Sequence, residues 1–92
     1  MFVLAINHAV ADYAKWKAVY DGMPPTKMGA KFARVNVSVD DPNLVTVVAG
    51  YDSLDELNAM MGDDRLKGAM EEAGVIGEPR IEIYEEVEAI QA

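Results

Sequence analysis

The sequence contains no cysteine, which excludes disulfides, thiolate nucleophiles and Cys-based zinc or iron–sulfur centres. Histidine occurs once, at His8, so no second imidazole can complete a metal set or an axial haem pair, and no metal or other cofactor is expected. Basic residues are scarce: 8 Lys and Arg stand against 16 Asp and Glu, a net charge of −8. Such a balance repels phosphate backbones and anionic lipid surfaces, and neither nucleic acid nor a membrane is an expected partner. No apolar run approaches the length of a membrane span. Met1 to Ile6 is apolar but lacks a basic flank, is shorter than a signal h-region and runs directly into Asn7 and His8, so it reads as a strand. The expected compartment is the cytoplasm. With 92 residues, the chain is expected to form one domain over 1–92. A domain of this size buries only about 60–65 per cent of its unfolded surface, so association with a second copy would add useful burial.

What the chain does have is a contrast between two kinds of strand. Phe2 to Ile6 and Leu44 to Ala49 are apolar at odd and even positions alike, Thr46 excepted. In Ala33 to Val39 and Ile81 to Val87, apolar residues alternate with polar ones such as Arg34, Asn36, Ser38, Glu82 and Glu86. Successive strand side chains point to opposite faces, so a strand apolar on both faces needs cover on both. The first and third strands are therefore central, the second and fourth outer. One sheet face remains too apolar for water and is the expected surface for a second copy, burying on the order of 800 Å² per subunit.

Between the strands, Tyr13, Trp16, Val19 and Tyr20 repeat at helical spacing over about Ala11 to Asp21, with Asp12 near the N-terminus. Gly22 and Pro24-Pro25 stop this helix, and the stretch to Gly29 reads as an ordinary loop. Asp40-Asp41-Pro42-Asn43 is a turn between the second and third strands. If it pairs Val39 with Leu44, Arg34 falls opposite Ala49 and Phe32 opposite Tyr51. Ser53-x-x-Glu56 has the spacing of a capping box and opens a second helix, which Gly62 interrupts and Asp63 or Asp64 recaps before Gly74 ends it. The first strand is expected over about Phe2 to His8, and Pro79 is expected to start the last. The result is β-α-β-β-α-β, an α+β ferredoxin-like fold with a four-stranded antiparallel sheet and helices on one face.

Three stretches resemble the antibiotic biosynthesis monooxygenase-like family of dimeric α/β-barrel proteins: His8-Ala9-Val10-Ala11-Asp12-Tyr13-Ala14-Lys15-Trp16-Lys17, Ser38 to Val47, and Leu66-Lys67-Gly68-Ala69-Met70 followed by Ala73-Gly74-Val75. The resemblance covers nearly the whole chain. It implies a homodimer in which two sheets pack face to face into a barrel, each subunit keeping a small cavity between sheet and helices. Members of the family include cofactor-free oxygenases of phenolic polyketides and haem-degrading enzymes. The matching motifs are structural and transfer no catalytic role.

Among individual residues, His8 is the candidate catalytic group, since imidazole exchanges protons near neutral pH. Its plainer use is a hydrogen-bonded residue closing the strand end. Tyr13 and Trp16, on the inner face of the first helix, are candidates to wall a flat ligand, though such a stripe is more often core. Arg34 and Asn36 are candidates to hold a carboxylate or an enolate oxygen. Their alternative use is a polar outer strand, with Arg34 paired to Glu82 or Glu86 of a second copy. The sequon Asn36-Val37-Ser38 sits mid-strand, and Glu85, Glu86 and Glu88 are split between strand faces, so neither is read as a site. Two functions are expected: the small cofactor-independent monooxygenase-like enzyme of a phenolic or enolisable molecule that the resemblance implies, or a non-enzymatic module that binds a small molecule or assembles with partners.

Overall fold

A computed structural model describes residues 1–91. Its elements are β1 (Phe2–Val10), α1 (Tyr13–Gly22), β2 (Phe32–Val37), β3 (Leu44–Tyr51), α2 (Leu54–Met61), α3 (Asp64–Glu72) and β4 (Val75–Glu85), with a 3₁₀ turn over Pro25–Met28. The strands form one antiparallel sheet in the order β2-β3-β1-β4, so the two strands that are apolar on both faces are indeed central. The fold is the ferredoxin-like arrangement expected, with its second helix divided in two.

Even-numbered residues of β1 (Leu4, Ile6, His8, Val10) and odd-numbered residues of β3 (Val45, Val47, Ala49, Tyr51) are buried against the helices. Each aliphatic side chain so buried contributes about 1.5–3 kcal/mol. The core divides into one cluster around Leu4, Ala49, Tyr51, Leu57 and Met60, and another around Val10, Trp16, Val45, Val47 and Ala73. The helices that cover them begin on side-chain caps. Asp12 accepts from the Lys15 N–H at 3.2 Å, and Ser53 accepts from the Glu56 N–H at 3.1 Å while its hydroxyl donates to the Glu56 carboxylate at 3.3 Å. The break between α2 and α3 follows from Gly62, which closes one helix, and Asp63, which opens the next by accepting from the Arg65 N–H at 2.8 Å. The Arg65 guanidinium also donates to Asp63, and these bonds hold its carboxyl down at about 2.

Three expectations need correction. The hairpin does not pair Val39 with Leu44: Ser38 N–H donates to the Leu44 carbonyl at 2.9 Å, and Arg34 lies opposite Val48 with Phe32 opposite Gly50. The Ser38 hydroxyl accepts from both the Asp40 and Asp41 N–H groups, and this places Val39 inside the turn, fully exposed. One residue of register exchanges the two faces of a strand, so Arg34 shares its face with Val48 rather than with Ala49. The last strand starts at Val75, not at Pro79. Asn7 pairs with Arg80 but Ala9 with Ile76, so two residues of β1 span four of β4. Gly77, at φ 70°, and Pro79 occupy this bulge on an edge strand, where a missing N–H is tolerated. Finally, β1 runs to Val10, which puts His8 inside the strand opposite Val45 rather than at its end.

The second sheet face carries no helix. Val3, Ala5, Ala9, Leu44, Val48, Phe32, Ile76 and Tyr84 lie on it with Asn7, Arg34, Asn36, Thr46, Arg80 and Glu82. Gly50 is essential to its shape: a Cβ there would stand 2.2 Å from the Phe32 ring and 2.7 Å from the Met1 sulfur. Its absence lets the ring lie flat across β3, and the Arg34 guanidinium stacks over that ring with its Cζ 4.3 Å from the ring centre.

Candidate functional site

Between the helix-covered sheet face and the helices lies a cavity of about 60 Å³. β1 and β3 floor it with Ile6, His8 and Val47, and α1 supplies Trp16, Val19 and Tyr20. Met60 comes from α2, Leu66 and Met70 from α3, Met23 from just before the 3₁₀ turn and Met28 from its last residue. No charged residue lines it.

His8 is 4 per cent exposed, and neither ring nitrogen has a hydrogen-bond partner among the described residues. The described residues thus supply none of the hydrogen bonds that the plainer reading, a histidine closing the strand end, expected. The alternation of β1 turns its side chain toward the helices, where its ring centre is 5.5 Å from that of Trp16. Burial lowers its pKa from the usual histidine range, because desolvation disfavours the imidazolium. At neutral pH the ring is neutral, with one nitrogen free to accept a proton and the other carrying an N–H. Trp16 is itself 4 per cent exposed and stacks on Tyr20 with centres 5.0 Å apart. Tyr13 packs behind Trp16 at 6.0 Å, outside the cavity wall.

Of the five candidates, the structure brings His8 and Trp16 together and puts Tyr13 one ring away. Arg34 and Asn36 sit on the opposite face of the sheet and do not line the cavity. Asn36 donates to the Thr46 carbonyl at 3.4 Å, and Asn7 donates to the Thr46 hydroxyl at 2.7 Å. Sequence reasoning missed Met23 and Met28, which lie in the segment between Gly22 and Gly29 read as an ordinary loop. The signal available was six methionines in 92 residues, a residue type suited to irregular, deformable walls. It also missed Tyr51, fully buried with no partner for its hydroxyl; burial, and secondarily the Tyr20 phenol, pushes its pKa up to about 12. Among the described residues no group of three or more His, Cys, Asp or Glu gathers as a metal-ligand set, and no helix is long and apolar enough to cross a membrane.

A compact split-βαβ sheet, bare on one face and enclosing an apolar cavity on the other, defines a class of small α+β protein with many solved members. No family model matches the sequence, and no curated protein does either. Solved structures do match. A provisionally named antibiotic biosynthesis monooxygenase from Deinococcus radiodurans aligns at TM-score 0.80 and 15% identity over 100% of this chain and 98% of its own. Another so named, from Caulobacter crescentus, aligns at TM-score 0.77 and 24% identity over 95% of this chain and 90% of its own. SnoaB, a cofactor-independent oxygenase from Streptomyces nogalater, aligns at TM-score 0.81 and 9% identity over 99% and 97%. The resemblance met in the sequence thus extends to the backbone of the whole chain. At these identities the shared property is the fold.

Proposed function

We propose that this protein is a cofactor-independent monooxygenase-like enzyme acting on a small phenolic or enolisable molecule, bound in the cavity beside His8. The observation that carries this reading is the buried imidazole with both nitrogens unpartnered on an otherwise apolar wall. A neutral base in a dry site is suited to take a proton from a phenol or from carbon next to a carbonyl. The resulting enolate supplies the electrons that reduce dioxygen, forming a carbon-bound hydroperoxide; loss of water from that hydroperoxide leaves a new carbonyl. Trp16 and Tyr20 offer flat faces to an aromatic substrate, and the four methionines of the wall supply the movement that a ring larger than the resting cavity requires. SnoaB, a cofactor-independent oxygenase on the same fold, supports the reaction class by analogy.

A second reading, a binding module without chemistry, is favoured by the wall's lack of any charged residue to steady an anion. In either case we take the functional unit to be a homodimer through the bare sheet face, whose Val3, Ala5, Leu44 and Val48 no helix covers.

One experiment separates the two readings. 9-Anthrone, an enolisable ketone whose enol is a phenol, is incubated with wild type and with His8→Leu while oxygen uptake and quenching of Trp16 fluorescence are followed. Trp16 is the sole tryptophan. Uptake in wild type that is lost in the variant, with quenching kept in both, supports the enzyme. Quenching without uptake supports the binding module, and the lack of both refutes the cavity as a site for this class.

A further inference from the structure

Strand register sorts the bare face into rows that run across β2, β3, β1 and β4 in turn. The first is Phe32–Gly50–Val3–Tyr84, the second Arg34–Val48–Ala5–Glu82 and the third Asn36–Thr46–Asn7–Arg80. The second row is positive at its β2 edge, negative at its β4 edge and apolar between. Among the described residues Arg34 forms no ion pair in its own chain; the pairs that do form are Lys17–Asp21, Lys31–Asp52, Arg65–Asp63 and Arg80–Glu82. The Arg80–Glu82 contact is a single one of 3.5 Å, with Glu82 about half exposed, leaving carboxylate capacity for another donor. Arg34 is exposed and held over the face by the Phe32 ring.

Two isologous ways of laying one such face on another differ in what Arg34 meets. A twofold axis across the strands sets β2 on β2, where the face carries only Phe32, Arg34, Asn36 and Ser38. Arg34 would lose water there with no carboxylate to compensate its charge. An axis parallel to the strands keeps each row and reverses its order. Arg34 then stands over the partner's Glu82, twice by symmetry, while Asn36 meets the partner's Arg80, Phe32 the partner's Tyr84, and Val48 the partner's Ala5. An arginine and a glutamate together span the gap of about 10 Å between packed sheets.

We infer that a second copy of this chain docks on the bare sheet face with its twofold axis along the strands, and that reciprocal Arg34–Glu82 pairs between the copies select that orientation. The inference rests on the dimer reading above. Its role is orientation and partner choice, since a like-charge juxtaposition at an interface costs far more than a correct pair gains.

The test uses Arg34→Glu, Glu82→Arg, the doubly exchanged chain and wild type, followed by sedimentation velocity and native mass spectrometry. Wild type is expected to be a dimer. Each single exchange creates two like-charge contacts and is expected to weaken self-association by about tenfold or more. Mixing the two single variants makes every contact complementary again, so a heterodimer is expected to form from two chains that do not associate with themselves. The doubly exchanged chain is expected to dimerise like wild type. A wild-type dimer whose single variants associate normally, or whose mixture stays dissociated, overturns the pairing and leaves the dimer standing. A wild-type monomer overturns both. Folding of the variants is checked by far-ultraviolet circular dichroism and by a cooperative urea transition, whose midpoint is expected to fall with the loss of the partner and to return in the mixture.

Discussion

Replacing His8 by leucine is expected to stabilise the protein while abolishing the oxygen uptake proposed for it. The side chain is 4 per cent exposed, and the described residues give neither nitrogen a partner. A buried polar group left unsatisfied costs about 1–3 kcal/mol, and a leucine of similar volume removes that cost without opening a cavity. In a domain of this length each kcal/mol is worth about 4–8 °C in Tm. The pH dependence gives a second, sharper reading. The folded pKa of His8 lies below its ordinary value of 6.5. Below 6.5 the unfolded chain therefore binds a proton that the folded chain does not, and wild-type stability falls as pH falls, by up to about 1.4 kcal/mol per unit, until the folded pKa is passed. Above 6.5 this contribution is fully present and flat. The leucine variant lacks it, so its advantage at pH 7.5 should widen at pH 5.5, while the carboxylates common to both chains cancel in the difference. Urea midpoints and slopes at the two pH values measure this directly. A variant less stable than wild type at pH 7.5, or an advantage that does not widen in acid, would refute the reasoning, because it would mean that the imidazole is satisfied by something other than the chain.

Two further substitutions test other buried or crowded groups. Tyr51→Phe removes a buried, unpartnered hydroxyl and is expected to be neutral to about 1 kcal/mol stabilising at pH 7; its advantage should grow above pH 10, because the unfolded tyrosine ionises at about 10 while the folded one, at about 12, holds its proton. Urea titrations at pH 7 and 10.5 compare the two, and an advantage that does not grow contradicts the assignment. Gly50→Ala places a Cβ 2.2 Å from the Phe32 ring, which must swing off β3. A loss of about 1–2 kcal/mol is expected, and a double-mutant cycle should show most of it gone in a Phe32→Ala background.

The central strands were readable because burial on two faces leaves a composition that burial on one does not, and Leu4, Ile6, Val45 and Val47 all lie in the core they predicted. Asp12 and Ser53 were readable as caps, and Asp63 as one of two neighbouring candidates, because each bonds an N–H two or three residues away, a purely local interaction. The hairpin register was not, because it turns on whether the Ser38 hydroxyl or the backbone closes the turn, alternatives that differ by one residue. The bulge in β4 depends on two strands distant in sequence and carries no pattern of its own. At the candidate site, the side of β1 to which His8 points followed from strand alternation. Its lack of any partner did not, since that depends on helices brought over it from three other segments.

The offset in β4 also bears on how large an assembly of this chain can grow. β4 is an outer strand of 11 residues with Ile76, Ile81, Ile83 and Tyr84 exposed, a length and character that would otherwise template the addition of further chains, strand upon strand, into a fibre. Gly77 and Pro79 interrupt that ladder within its first half: the register slips by two residues and one N–H is missing where an incoming strand would seek it. At the opposite edge β2 offers only six residues before the aspartates of the turn. With both edges poor templates, the bare face is the surface left for the proposed twofold contact, which would use up the available surface and stop growth at a finite size.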